Sequence, residues 1–265
     1  MTTTDATAEL VDVSLHYSVH GDQGPWVTLV HGGMMGSAGW LDQARRLADR
    51  TRVLTFDLRG YGRSSKPRDG YTVTQFAADM LALWDALAIA ESAVVGFSMG
   101  GFVAIETALR APERVSALML VGTADGLPAA AREGFLRRAR ELELTGTEAE
   151  RAAHVDRVFS AGFRAAHPAF IRDYANAVAD NDPRCLAATF RGLAAFDRRD
   201  AVSHIACPVL VVCGERDAAI PPEHSRALAE RIAGSRLVTI AGAGHTVHAE
   251  QPETFAALVR EVLTA

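Results

Sequence analysis

Short apolar runs rich in valine and leucine recur toward both ends of this chain, separated by longer amphipathic stretches. The runs are Trp26-Val27-Thr28-Leu29-Val30, Arg52 to Phe56, Ala93-Val94-Val95, Ala117 to Val121, Val209 to Cys213 and Arg236 to Ile240. The first stops at His31 and the second at Asp57; the others stop at or near Gly96, Gly122, Gly214 and Gly242. They are too continuously apolar to face water on one side, which predicts strands of a parallel sheet buried on both faces. Val11 to Val19 reads as a further strand or the start of a hairpin. Between the runs, Val73 to Ala90 carries Phe76, Met80, Leu83, Trp84 and Leu87 at helical spacing. Phe102 to Leu109, Pro221 to Ile232 and Gln251 to Leu263 are also helix-like, the last two with proline near the start, where it is tolerated. The alternation predicts an α/β fold with a mostly parallel central sheet and helices on both faces.

The rhythm breaks from Leu127 to Phe196, which is rich in Ala, Arg and Glu and has no strand pattern. Three or four helices are expected there, with breaks near Gly146, Gly162, Pro168 and Pro183. The stretch is too long for a loop, and the strand pattern resumes intact at Pro208. The expected organisation is a core of residues 1–126 and 197–265, with 127–196 as a helical cap over the carboxyl edge of the sheet.

In a parallel sheet, chemistry collects at the carboxyl ends of the strands. One such end carries Gly96-Phe97-Ser98-Met99-Gly100-Gly101, a serine between glycines where a strand turns into a helix. That is the sequence form of a nucleophile elbow. It predicts a strained Ser98 with neighbouring backbone close to Gly96 and Gly100. Later strand ends carry Asp217, in Gly214-Glu215-Arg216-Asp217, and His245, in Gly242-Ala243-Gly244-His245. Serine needs a base within hydrogen-bond reach. His245 can take the Ser98 proton and return it to a leaving group, while Asp217 holds the imidazole tautomer. Glu215 competes for the acid role, but Asp217 lies further past the strand end. Backbone N–H groups of Met99 and of the His31-Gly32-Gly33-Met34 loop are the candidate oxyanion donors, Gly33 first and Met34 second. His31 is expected to orient that loop.

Composition narrows the function. The formal net charge is -5 without a long run of either sign, which argues against nucleic acid and against an anionic membrane surface. Arg137-Arg138-Ala139-Arg140, with Glu141 and Glu143 nearby, reads as a solvated helix face. The three cysteines, Cys185, Cys207 and Cys213, have no disulfide or metal spacing. The N-terminus lacks a basic region followed by an apolar signal core, and no apolar run approaches the ~20 residues of a membrane span, so a cytoplasmic protein is expected. The pair His245-x-x-His248 lacks further zinc ligands at sensible spacing, and Gly60-Tyr61-Gly62 is no dinucleotide fingerprint. Neither metal nor cofactor is expected. Phe97, Trp40, Leu127 and Phe135, with Met34 and Met99, are candidates for the pocket wall, and His248 for packing beside His245 or lining the pocket.

These segments resemble the α/β-hydrolase fold superfamily over essentially the whole chain. The resemblance rests on His31-Gly32-Gly33, Asp57-Leu58-Arg59-Gly60-Tyr61-Gly62-Arg63-Ser64, the Ser98 elbow, Gly214-Glu215-Arg216-Asp217 and Gly244-His245. It implies nucleophile, acid and base at Ser98, Asp217 and His245, and a structural role for Asp57 to Ser64. Within it the chain resembles enzymes with a helical cap: enol-lactonase-like hydrolases, small carboxylesterases and carbon–carbon bond hydrolases. Serine at position 98 speaks against the related dehalogenases and epoxide hydrolases, which carry aspartate there. The expected activity is cofactor-independent cleavage of a small ester or lactone through an acyl-serine. The alternatives are a carbon–carbon hydrolase, lyase or perhydrolase using the same residues, and a receptor-like ligand-binding protein. The expected partner is a small-molecule substrate rather than nucleic acid or membrane, and a homo-oligomer is left open.

Overall fold

The computed structural model describes residues 2–264. Eight strands among them form one sheet: β1 (Thr3–Glu9), β2 (Ser14–His20), β3 (Trp26–Val30), β4 (Arg52–Phe56), β5 (Ser92–Phe97), β6 (Val115–Val121), β7 (Val209–Gly214) and β8 (Arg236–Ile240). Their spatial order is β1-β2-β4-β3-β5-β6-β7-β8. Pairing is antiparallel for β1 with β2 and for β2 with β4, and parallel from β4 to β8.

The parallel strands feed two cores by strict alternation. Val94, Leu118, Leu120, Val209 and Val211 point into one; Ala93, Val95, Met119, Val121, Leu210 and Val212 point into the other. Both faces are covered, which is why these strands read as unbroken apolar runs. The first core is closed by α2 (Val73–Ala86) and α3 (Met99–Arg110), with Phe76, Met80, Trp84 and Phe102 inside. The second is closed by α1 (Leu41–Leu47) and the C-terminal helix, with Leu47, Phe255 and Val259 inside.

Five helices among the described residues lie between β6 and β7: α4 (Ala129–Thr145), α5 (Glu148–Val158), α6 (Ala161–Ala166), α7 (Pro168–Ala179) and α8 (Pro183–Ala194). An antiparallel bridge between Gly126 and Asp197 closes the neck of this insertion. After β7 come α9 (Pro222–Arg231), then β8, α10 (Val247–Glu250) and α11 (Pro252–Val262). No helix among the described residues is long and apolar enough to cross a membrane.

Three sequence expectations are corrected. The segment Val11 to Val19 is the turn and second strand of a hairpin rather than its start: Val11 is fully exposed in the turn between β1 and β2. The missed strand, Thr3–Glu9, is an exposed edge whose polar residues leave no apolar pattern to read. The insertion holds five helices rather than three or four, and Gly162 lies inside α6. The break falls instead at Ser160, whose hydroxyl caps α6 by accepting from the Phe163 N–H at 3.2 Å.

Candidate active site

Ser98 sits between β5 and α3 at φ 53°, ψ -117°, a conformation that L-residues rarely adopt. The surroundings enforce it. Its N–H donates to the Val121 carbonyl at 2.8 Å, and its carbonyl accepts from Gly101 N–H and the Thr123 hydroxyl, both at 2.9 Å. A β-carbon at Gly100 would collide with the Val30 and His31 backbone, and one at Gly96 would stand 2.8 Å from Ala104 Cβ. The turn is therefore closed by contacts on every side, and the serine carries strain that its neighbours hold in place.

Asp217 follows β7 and His245 follows β8. Both are nearly fully buried, and Asp217 Oδ2 lies 2.7 Å from His245 Nδ1. The other carboxylate oxygen, Oδ1, accepts from the Ala219 and Ile220 N–H groups at 2.9 and 2.8 Å. These bonds fix the carboxylate and leave Nε2 as the imidazole nitrogen not bonded to Asp217. Glu215 is engaged elsewhere, accepting from Gly242 N–H at 2.8 Å. Gly122, φ +51°, lies against this pair: a β-carbon there would be 2.9 Å from His245 Nδ1. The sequence marked Gly122 only as a strand end.

Ser98 and His245 line a cavity of about 90 Å³ together with Gly33, Met34, Phe97 and Met99. The insertion supplies the rest, including Phe135, Arg138, His154, Arg157, Tyr174 and Phe190. Met99 opens α3, whose N-terminus favours negative charge nearby. Met34 has φ 65°, so the loop before it turns sharply at the cavity edge. His31 ties that loop down, with Nδ1 2.8 Å from the Gly32 carbonyl and Nε2 accepting from Leu58 N–H at 3.0 Å. Burial pushes the His31 pKa down, opposed by Asp57. Asp57 itself receives the Ser37 and Arg63 N–H groups at 2.6 and 2.9 Å, a bracing role away from the cavity.

Three wall candidates are not brought to this cavity. Trp40 is wholly buried against Phe97 and His248, with ring centroids 6.3 and 4.4 Å away. Leu127 packs into the core at the neck of the insertion. His248 packs between Trp40 and Phe97, and burial, helped by His245, drives its pKa down to about 3. The ring is neutral filling behind the site. Among the described residues no three His, Cys, Asp or Glu side chains cluster as metal ligands.

The polar residues that the insertion brings were missed. Arg138, read as part of a solvated face, turns inward: its guanidinium lies 4.4 Å above the Phe190 ring and its Nη2 2.6 Å from Glu150 Oε1. Burial lowers its pKa, with Glu150 opposing and Arg157 adding to the fall. Arg157 reaches the same Glu150 oxygen. His154 Nε2 is 3.1 Å from the Tyr174 hydroxyl, and burial with Arg138 and Arg157 holds this histidine neutral. The signal was present as helical spacing. Phe135, Arg138 and Leu142 share one face of α4, and Glu150, His154 and Arg157 share one face of α5.

A family model described as the alpha/beta hydrolase fold matches residues 25–252. The 3-oxoadipate enol-lactonase 2 of Acinetobacter baylyi is 31% identical over 254 residues, covering 95% of this chain and 94% of that protein. A protein of Azorhizobium caulinodans, provisionally named carbamate hydrolase RutD, is 31% identical over 252 residues, 92% of each chain. The crystal structure of the enol-lactonase from Burkholderia xenovorans LB400 matches with a TM-score of 0.94 at 30% identity, covering 98% of this chain and 100% of that one. These names support a hydrolase. The match over most of the chain agrees with the sheet order and with Ser98, Asp217 and His245 after β5, β7 and β8: the chain belongs to the α/β-hydrolase fold family.

Proposed function

We propose that the protein is a cofactor-independent serine hydrolase that cleaves a small ester or lactone through an acyl-Ser98 intermediate. The observation that carries this reading is the buried 2.7 Å pair of Asp217 and His245, whose histidine lines the same cavity as a strained serine. His245 Nε2 takes the Ser98 proton as Oγ attacks the acyl carbonyl. Asp217, fixed by two backbone N–H groups, stabilises the imidazolium. The Met99 and Gly33 N–H groups, with Met34 next in line, receive the oxyanion, each donor worth roughly 3–4 kcal/mol in the transition state. His245 then protonates the leaving oxygen, and water repeats the sequence on the acyl-enzyme. Residues 127–196 act as a cap that closes the cavity over Ser98 and restricts the substrate to a short acyl group.

Labelling with a fluorophosphonate probe tests the nucleophile. Wild-type protein is expected to gain one covalent adduct at Ser98, and Ser98→Ala none. A folded wild type that stays unlabelled and turns over no ester overturns the hydrolase reading in favour of a ligand-binding protein.

A further inference from the structure

Several of the insertion's surface arginines each pair with one acid. Arg191 pairs with Glu143 at 2.6 Å, Arg151 with Glu148 at 2.8 Å, and Arg164 with Asp156. At the cavity the ratio changes. Arg138 and Arg157 both converge on one carboxylate, and on one oxygen of it, Glu150 Oε1. The Glu150 side chain is only 9% exposed and Arg138 21%, while Arg157, at 34%, reaches the surface. Two guanidinium charges against one carboxylate leave one positive charge at the wall of a cavity that also holds Ser98. The next acid along α4, Glu141, is half exposed and faces Arg137.

An uncompensated charge away from bulk water is costly, so proteins pair it or neutralise it. A guanidinium stays ionised even when burial lowers its pKa. Neutral His154 adds no further charge. The donor count points the same way. Each guanidinium has five N–H groups, and among the described residues Nη1 of Arg138 and Nη1 of Arg157 donate to no protein acceptor. Phe190 beneath Arg138 orients its planar fork.

We propose that Arg138 and Arg157, with Glu150 between them, form the binding site for a carboxylate carried on the substrate's short acyl portion, and that Glu150 sets the preference to a single negative charge. This rests on the hydrolase reading of Ser98. The acyl carbonyl meets Ser98 on the core side of the cavity, and the carboxylate meets the two arginines on the insertion side. Glu150 holds both guanidiniums in the substrate-free protein and cancels one charge. A monoanion completes the neutralisation, and a dianion leaves an excess.

The experiment compares two aryl esters with the same leaving group on the full chain: a hemisuccinate and its methyl-capped neutral counterpart. The readout is the ratio of their kcat/KM values. Wild type is expected to favour the hemisuccinate. Arg138→Gln and Arg157→Gln are each expected to lower the ratio by roughly 10- to 100-fold, the worth of a charge-assisted hydrogen bond pair. Glu150→Gln is expected to raise it and to admit an aryl ester whose acyl chain carries two carboxylates. A ratio that stays within about twofold in both arginine variants overturns the proposal, the arginines then serving only to hold the helices together. Where a variant fails to fold, wild type supplies the test: succinamate, the monoanionic half-amide, is expected to inhibit competitively more strongly than neutral succinamide, and equal inhibition overturns the proposal. Wild-type turnover of neither ester is a separate result, because it removes the hydrolase reading itself.

Discussion

Gly122 lies directly against the imidazole of His245: a β-carbon on it would stand 2.9 Å from Nδ1 and 3.2 Å from Asp217 Oδ2. Space for the Asp217–His245 pair is therefore made by a missing side chain on the neighbouring strand end. Gly122→Ala has two consequences. Its φ of +51° costs a side chain about 1–2 kcal/mol, and the new methyl group pushes the 2.7 Å Asp217–His245 bond out of line. Displacements on the order of 1 Å in such a site cost about 10²-fold in rate. The expected result is a folded protein with kcat down by about that factor, measured on an aryl ester. A Gly122→Ala enzyme with wild-type kcat would show that the pair tolerates the intrusion.

The buried histidines predict how the fold responds to acid. His248 is held to about 3, chiefly by burial, and its Nδ1 has no hydrogen-bond partner among the described residues. Above about pH 6.5 the ring is neutral in both folded and unfolded chains, so it adds no pH dependence. Below that, the unfolded chain binds a proton that the folded ring refuses. Stability then falls by about 1.4 kcal/mol per pH unit for this one group, and the fall continues toward the folded pKa. His154, shifted the same way by burial and by Arg138 and Arg157, adds to the slope. Urea titrations from pH 8 to 4 check this. His248→Phe, which keeps an aromatic ring beside Trp40, is expected to flatten the slope; an unchanged slope would assign acid sensitivity elsewhere.

Glu250 joins the two halves of the site. Its Oε1 accepts from Gly244 N–H at 3.1 Å and from Ser160 N–H at 3.0 Å, and its Oε2 accepts from the Ser160 hydroxyl at 2.5 Å. Thr246, next to His245, also donates its N–H to the Val158 carbonyl at 3.0 Å. The loop that carries His245 is thus bonded to the hinge between α5 and α6. Glu250→Ala leaves buried donors unpaired, at a cost of about 1–3 kcal/mol, and loosens the loop against the insertion. The expected outcome is a lower Tm together with a lower kcat. A drop in Tm alone would mean that Thr246 suffices to hold the loop.

The sheet and the strand-end residues were legible because each has a local signature. Two-sided burial writes continuous apolar runs such as Val209 to Cys213, and the elbow writes its glycines around Ser98. The insertion was legible as helical and as a cap, with Phe135 a wall candidate, but its polar residues were not legible as part of the wall. Arg138 looks like a surface residue beside Arg137 and Arg140, and only the partner helix that brings Glu150 to it shows which way it faces. Trp40 errs in the opposite direction, since an aromatic near a motif looks like a wall until Phe255 and Phe97 enclose it. Edge strand β1 left no trace because exposed pairing needs no apolar side chains.

Ser98 separates the cost of the elbow from its chemistry. At φ 53° and ψ -117° the residue occupies backbone space that glycine enters freely and other residues do not. Strain of this kind costs about 1–3 kcal/mol. Ser98→Ala removes the hydroxyl and keeps the strain. Ser98→Gly removes both, at the expense of about 0.5–1 kcal/mol of added freedom in the unfolded chain. The central values leave Ser98→Gly more stable than Ser98→Ala by about 1 kcal/mol. For a domain of this size that is a rise in Tm of roughly 2–4 °C. Both variants are expected to be inactive on an aryl ester, so calorimetry and kinetics read independent properties. Equal Tm values for the two would mean that the surrounding bonds from Val121, Gly101 and Thr123 impose the turn without storing strain at the serine.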